Sequence, residues 1–209
     1  MASDIQTLDD LEIFPFYPNY DKGVDVNILG GYEVTQFGRY SPMDIVEDTA
    51  DKQLTVLMNL VLTTKQEKYN FLQFMDDHKG QLKKFWLYAN VNEFNLKEAI
   101  AASASTMLVE DTEYHSYYKV GDRIYFYLKT GDVIVRKVQS VTYDAIGEDI
   151  TITFTTQMPA YEIGLNDVYE IGRVLCCRFD HDSFEVPNKN TTVATTKVRF
   201  LELPKEYPS

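Results

Sequence analysis

Cysteine is scarce in this sequence: Cys176 and Cys177 are the two among 209 residues. Two cysteines are too few to staple a small secreted domain, because such scaffolds rely on several disulfides. Neighbouring residues of a strand point to opposite faces, so a disulfide between these two would be strained. We therefore expect both thiols to remain reduced and the chain to be made in a reducing cytoplasm.

Long apolar runs are also missing. No stretch approaches the roughly 20 apolar residues that span a bilayer. The first residues, Met-Ala-Ser-Asp, have neither the basic nor the apolar segment of a secretory signal. We expect no signal peptide and no membrane insertion.

Positive charge is in deficit, with 20 Lys and Arg against 32 Asp and Glu and a formal net charge of −12. Proteins that hold nucleic acid by its phosphates present clustered Lys and Arg, and anionic membranes attract similar clusters. The sequence has no such run. It predicts neither sequence-specific nucleic-acid binding nor docking to an anionic membrane.

Motifs for catalysis or metal binding are absent as well. The histidines, cysteines and serines form no C-x-x-C, H-x-x-x-H or G-x-S-x-G pattern. We therefore predict no enzyme, no metal site and no cofactor. Two alternatives stay open: a weak cation site at Asp180, His181 and Asp182, and a cell-wall hydrolase, because the separation of paired carboxylates is spatial and sequence does not constrain it.

Aromatic residues are plentiful, with 15 Tyr and 12 Phe, and they favour strands. Residues 54–62 and 150–154 alternate apolar and polar side chains, as half-buried strands do. Residues 122–128 and 133–138 are predicted to pair across a loop containing Gly131. The fold class predicted is mainly β, all-β with one short α-helix.

The one predicted helix begins at Thr64. Thr64 and Glu67 form a capping box, in which each side chain satisfies a backbone N–H at the helix start. Phe71, Leu72 and Met75 give an apolar stripe at helical spacing. Gly80 is predicted to supply the left-handed residue that ends the helix.

Composition shifts near residue 88 and again near residue 172. The short final strand needs a sheet to join, and the N-terminal part offers one. We predict a discontinuous β-sandwich core, residues 1–88 plus 172–209, with a small OB-like β-barrel, residues 89–171, inserted between.

An aromatic arm, residues 13–20, contains two prolines and four aromatic residues, Phe14, Phe16, Tyr17 and Tyr20. The prolines discourage a helix or a central strand, so the arm lies in a groove of its own domain or of a neighbouring subunit. Further along, residues 40–46 and 53–62 form a hairpin candidate whose acidic tip is either a solvated turn or functional.

Five tyrosines in the middle of the chain raise a separate possibility. They are either packed in the barrel or arranged as a stacking platform for sugars: Tyr114, Tyr117, Tyr118, Tyr125 and Tyr127. A platform for single-stranded nucleic acid is disfavoured because basic neighbours are lacking.

Several blocks resemble the distal tail proteins of tailed bacteriophages, found at the tail tip. In the first half these are residues 71–74, residues 78–81 with a basic–Gly–Gln turn, and the aromatic strand at residues 85–87. In the second half they are residues 175–180 and the terminal strand at residues 198–203, which has the Phe-x-Glu-Leu pattern. The blocks are scattered over about half of the chain, and Cys176-Cys177 departs from the usual residues.

The resemblance implies a structural virion protein, assembled in the host cytoplasm and located in the tail. It implies a homo-oligomer, a hexameric ring around the DNA channel, whose partners are the tail tube protein and the tail hub or baseplate proteins. Glu47, Asp48 and Asp51 then become candidates for the channel wall, and Phe14, Phe16, Tyr17 and Tyr20 for the subunit contact. The alternative function is a carbohydrate- or protein-binding β module.

Overall fold

The structure, a computed structural model, describes residues 7–18, 24–29, 32–35, 44–47, 53–79, 81–90, 92–110, 119–144, 149–181 and 193–203. For residues 24–29, 32–35, 44–47 and 53–54 it describes the backbone. The strands are β1 (Thr7–Leu8), β2 (Leu11–Glu12), β3 (Val24–Leu29), β4 (Tyr32–Thr35), β5 (Asp44–Glu47), β6 (Gln53–Leu62), β7 (Phe85–Tyr88), β8 (Thr106–Glu110), β9 (Arg123–Leu128), β10 (Val133–Asp144), β11 (Asp149–Phe154), β12 (Val168–Phe179) and β13 (Ala194–Glu202).

Strands predominate among the described residues. Within the described ranges there is a single α-helix, α1 (Lys65–His78). The prediction of a mainly β chain with one short helix is confirmed. The strong alternation of residues 150–154 is confirmed too, because Ile150, Ile152 and Phe154 are buried while the threonines between them are half-exposed.

The chain divides into two compact units. The first, the terminal unit, combines Met1–Trp86 with Cys176–Pro208; the second, the inserted unit, is Leu87–Leu175. The predicted boundaries, at residues 88 and 172, lie close to these. Strands β7 and β12 both run across a boundary, so each contributes residues to both units.

The terminal unit is organised by its last strand. β13 pairs antiparallel with β6 over eight residues, from Ala194 opposite Leu62 to Leu201 opposite Thr55. On its other edge β13 pairs with the last three residues of β12. β3 covers the far edge of β6. The prediction that the final strand joins the sheet of the N-terminal part is confirmed by this pairing.

The hairpin predicted around the acidic segment is wrong. β5 pairs with β4, with Glu47 opposite Tyr32, and not with β6. The reason is that a strand has two edges, and both edges of β6 are taken by β3 and β13. Glu47 is therefore the last residue of β5, and Asp48 and Asp51 lie outside the described residues.

The helix begins as predicted but ends differently. The Glu67 backbone N–H donates to the Thr64 hydroxyl (3.0 Å), and the Glu67 carboxylate accepts from the backbone N–H of Thr63 (2.7 Å). At the other end the left-handed residue is Lys79, with φ 49° and ψ 46°, and its N–H bonds back to Asp76. The predicted stop at Gly80 is thus wrong by one residue, and Gly80 itself lies outside the described residues.

The buried face of α1 also differs from the predicted stripe. Phe71, Phe74 and His78 are buried, at the i, i+3, i+7 spacing of one helical face. Leu72 is instead exposed and Met75 is half-buried. The predicted stripe is right at Phe71 and wrong at Leu72 and Met75, because Phe71-Leu72 and Phe74-Met75 offer two overlapping apolar patterns.

The core of the terminal unit is an aromatic cluster. Phe14 is 4% exposed, and its backbone N–H donates to the Trp86 carbonyl (2.8 Å). The Phe14 ring lies 5.0 Å from that of Phe200 and 5.5 Å from that of Phe74, both edge-on. Edge-to-face pairs of this kind add to the stabilisation that comes from burial. The arm is therefore part of its own domain's core at Phe14.

The inserted unit has the strand order β12-β9-β10-β11-β8. β9 and β10 form the predicted hairpin, with Val133 opposite Tyr127, and Gly131 in the loop has φ +92°. β10 is long: residues 133–137 pair with β9, and the strand pairs with β11 from Val138 onward, with a bulge between Val138 and Ser140. Its core is formed by alternating residues of these strands, among them Val109, Ile124, Phe126, Ile150, Ile152 and Phe154.

We expect Phe14→Ala to destabilise the terminal unit by about 3–5 kcal/mol, because it leaves a cavity among five aromatic rings. Tyr17→Ala, three residues along the same arm and exposed, should change stability by less than about 0.5 kcal/mol. Urea unfolding followed by circular dichroism at low protein concentration measures both. Equal effects of the two substitutions would contradict the assignment of Phe14 to the core.

Candidate interaction surfaces

The aromatic arm presents one exposed aromatic side chain within its described part. Phe16 is half-buried, with its ring 5.4 Å from that of Phe14 and 5.5 Å from that of Phe71. Tyr17, the next residue, is 54% exposed. Tyr20 lies outside the described residues. Of the predicted contact residues that the structure describes, Phe14 is already used inside the chain, Phe16 is half-buried and Tyr17 is exposed.

Helix α1 carries a second apolar surface that the sequence did not predict. Tyr69 is 62% exposed and Leu72 is 44% exposed. They are three residues apart, so they are neighbours on the helix face that points away from Phe71 and Phe74. Charged residues are the usual occupants of such a face. We call Tyr17, Tyr69 and Leu72 the outer aromatic surface of the terminal unit.

The acidic segment is described in part. Glu47 is the last residue of β5, and the structure gives its backbone. Asp48 and Asp51 lie outside the described residues. The assignment of these three carboxylates to a channel wall stays a prediction.

In the inserted unit, an ion pair ties the segment after β7 to β12. Both carboxylate oxygens of Glu93 accept from the Arg173 guanidinium, at 2.9 Å from Nε and 2.9 Å from Nη2. The Glu93 carboxylate also accepts from the backbone N–H of Arg173 (3.1 Å). The Asn92 side chain accepts from the Ile171 N–H (3.0 Å). With its oxygens committed in this way, Glu93 has a structural role.

Two further carboxylates of the inserted unit have raised pKa values. Burial raises the pKa of Asp122, against the lowering effect of a hydrogen bond from the Lys119 backbone and of the Arg173 charge. Burial likewise raises the pKa of Glu170, opposed by the hydrogen bond that it accepts from the Tyr125 hydroxyl. The pKa of Tyr125 is raised in turn, by burial and by that same bond. These groups share a partly dry environment.

The predicted tyrosine platform is divided by the structure. Tyr125 is buried, with its ring 4.8 Å from that of Tyr88. Tyr127, two residues along and half-exposed, is stacked on Tyr169 of β12. The other three tyrosines of that set, at positions 114, 117 and 118, lie outside the described residues. Tyr169 was missed because its partner in the stack is distant in sequence.

The structure also bears on the cation site that the sequence left as an alternative, and on the two cysteines. Asp180 forms an ion pair with Arg199, at 3.1 Å between Oδ2 and Nε, and Asp182 lies outside the described residues. Among the residues that the structure describes, no three His, Cys, Asp or Glu side chains are grouped as metal ligands. Cys176 and Cys177 are buried and form no disulfide, as predicted.

In the described ranges no helix has both the length and the apolar character needed to cross a membrane. Comparison of the chain with models of protein families and with curated proteins gives no match. The surfaces described above are therefore the basis for the functional argument.

The raised pKa of Glu170 makes a prediction for stability against pH. The native state holds the Glu170 proton more tightly than the unfolded state, so this group favours folding most in acid. Relative to Glu170→Gln, the wild type should lose stability as pH rises from the ordinary glutamate value of 4.5 through the raised native value. Urea midpoints between pH 4 and pH 8 measure this.

The exposed Glu162 offers a matched control, because Glu162→Gln removes one negative charge from the same unit. A difference between wild type and Glu170→Gln that stays constant over the whole pH range would contradict the raised pKa.

Proposed function

We propose that this chain is a structural virion protein of a phage tail, forming a hexameric ring that connects the tail tube to the baseplate and receptor-binding apparatus around the DNA channel. The observation that carries the proposal is the outer aromatic surface of the terminal unit. Large apolar side chains on the outward face of a short helix are typical of a surface that another subunit covers, and Tyr17 of the arm is exposed as well.

The residues that resemble distal tail proteins support the proposal through their positions. They come from five blocks of the sequence, and aromatic side chains from four of these blocks meet in one core. The ring centroid of Phe74 lies 5.3 Å from that of Phe85, and the Phe85 centroid lies 4.9 Å from that of Phe179. The Phe179 centroid in turn lies 5.6 Å from that of Phe200. The resemblance thus concerns one domain, and that domain bears the outer aromatic surface.

The nature of the exposed side chains supports a subunit contact. Tyrosine is enriched at interfaces because its ring buries a large area while its hydroxyl finds a polar partner. A few such anchors commonly provide most of the binding free energy. Tyr17 and Tyr69 are the anchors in this proposal, and Leu72 supplies apolar area next to Tyr69.

Charge is consistent with the channel in the proposal. The formal net charge of −12 favours a protein that repels DNA, and an inner wall of like charge lets DNA slide without sticking. In this proposal Glu47, Asp48 and Asp51 face the ring axis. A structure of the assembled ring with these residues on its outside would contradict that placement.

Removal of the whole arm is a poor test of the contact, because it also removes Phe14 from the core. Point substitutions on the exposed face separate assembly from folding. Tyr69→Ser combined with Leu72→Ser takes away apolar contact area while leaving the buried face of α1 unchanged.

We expect the wild type to sediment as a particle of six chains of 24.1 kDa each. The Tyr69→Ser, Leu72→Ser variant should dissociate to smaller species at a protein concentration at least about tenfold higher than the wild type, because interface anchors contribute on the order of 2 kcal/mol each. Analytical ultracentrifugation over a concentration series measures the mass, and circular dichroism verifies that the helix is intact.

Val120→Ser is the control, since Val120 is an exposed apolar residue of the inserted unit. Its mass distribution should match that of the wild type. A wild-type chain that stays a monomer at all concentrations would refute the ring, and a double variant that assembles like the wild type would refute the surface.

A further inference from the structure

The inserted unit has a pair of stacked tyrosines, one exposed and one half-exposed, that lie outside its hydrophobic core. Tyr169 of β12 is 66% exposed, and its ring stacks on that of Tyr127, with 5.9 Å between centroids and 28° between planes. The strand pairing between β12 and β9 shifts between Val168 and Glu170. Such a bulge re-aims one side chain, and here the residue at the bulge is Tyr169.

A carboxylate and an ammonium group lie beside this tyrosine pair. Glu170 is directly opposite Tyr127 in the strand register, and one of its carboxylate oxygens accepts from the Tyr125 hydroxyl. Lys129 places its ammonium group 6.0 Å from the centre of the Tyr169 ring. The cluster therefore offers flat apolar rings, a carboxylate that accepts hydrogen bonds and an ammonium that donates them.

We propose that Tyr127, Tyr169, Glu170 and Lys129 form a binding site for a neutral oligosaccharide. The apolar C–H face of a pyranose ring packs on an exposed aromatic ring, and its hydroxyls supply donors and acceptors for a carboxylate and an ammonium. One negative and one positive group leave the site close to neutral, which matches an uncharged ligand.

Other ligand classes fit these residues less well. A phosphate-bearing ligand would meet the Glu170 carboxylate, in a chain of net charge −12. A peptide that adds a strand needs an unpaired sheet edge. Both edges of β9 are paired, with β10 and with β12. On β12, the carbonyls of Ile171 and Arg173 accept backbone N–H groups from residues 93 and 89.

The fixed geometry of the pair favours binding as well. Glu170 is held by the Tyr125 hydroxyl, and Tyr127 is held between paired strands. The backbone N–H of Lys129 donates to the Asp167 carbonyl (2.8 Å), which holds the loop that carries Lys129 next to β12. Groups positioned in advance lose little conformational entropy when a ligand binds.

The experiment titrates the full-length chain with neutral tetrasaccharides of glucose, of mannose and of N-acetylglucosamine, using isothermal calorimetry and saturation-transfer NMR. We expect at least one to bind. Tyr169→Ala should weaken that binding at least about tenfold, whereas Tyr169→Phe, which keeps the ring, should stay within about twofold. Glu170→Gln should weaken binding several-fold through loss of the stronger, charged acceptor.

Tyr143→Ala is the matched control, because Tyr143 is an exposed tyrosine ten residues further along β10 than Val133, the partner of Tyr127. It should leave the affinity unchanged. Thermal unfolding verifies that every variant is folded.

Three outcomes would overturn the site. The first is that no tetrasaccharide binds up to millimolar concentration, and the second is that Tyr169→Ala leaves binding unchanged. The third is that Tyr169→Ala changes the particle mass without changing saccharide binding, which would make the tyrosine pair a contact between copies of this chain. Saccharide binding is measured separately from particle mass, so this proposal and the ring proposal can fail independently.

Discussion

The pairing of β13 between β6 and β12 is the constraint on which the terminal unit depends. β13 comes from the last part of the chain, yet it is an inner strand whose neighbours are residues 55–62 on one edge and residues 177–179 on the other. A strand in this position satisfies backbone hydrogen bonds on both sides. Without it, β6 would present an unpaired edge, which is a template for aggregation.

The aromatic cluster follows from that pairing. Phe200 of β13 and Phe179 of β12 face the same side of the sheet as partners in register. Helix α1 covers them with Phe74, and the arm closes the cluster with Phe14. Because these rings come from the arm, the helix and two strands, the cluster requires all four elements to be in place. The outer aromatic surface lies on the other side of two of those elements, so core and surface are built from the same short segments.

Much of the fold was predictable, because patterns of neighbouring residues in the sequence indicate most of its strands and its helix. Alternation fixed the strands at residues 54–62 and 150–154, and the Thr64–Glu67 spacing fixed the start of α1. The errors arose where two patterns overlap or where pairing is non-local. The choice between Leu72 and Phe74 as a core position depends on what covers the helix, and the partner of β5 depends on which edges of β6 are already occupied.

The candidate surfaces were less predictable than the fold. An aromatic residue in a proline-rich arm is equally compatible with burial and exposure, and the structure assigns Phe14 to the first and Tyr17 to the second. The Tyr127–Tyr169 pair joins residues from two strands that are far apart in the sequence. The pairing of Glu93 with Arg173 is likewise non-local. Sequence spacing carries no signal for such contacts.

The discontinuity of the terminal unit has a consequence for synthesis on the ribosome. Residues 87–175 leave the exit tunnel before β13 does, so the inserted unit has emerged while β6 still lacks one of its two neighbours. Domains generally fold as units during translation, at about 5–20 residues per second. The part of the terminal unit that is made first is therefore completed after the inserted unit, and one edge of β6 stays unpaired until β13 emerges.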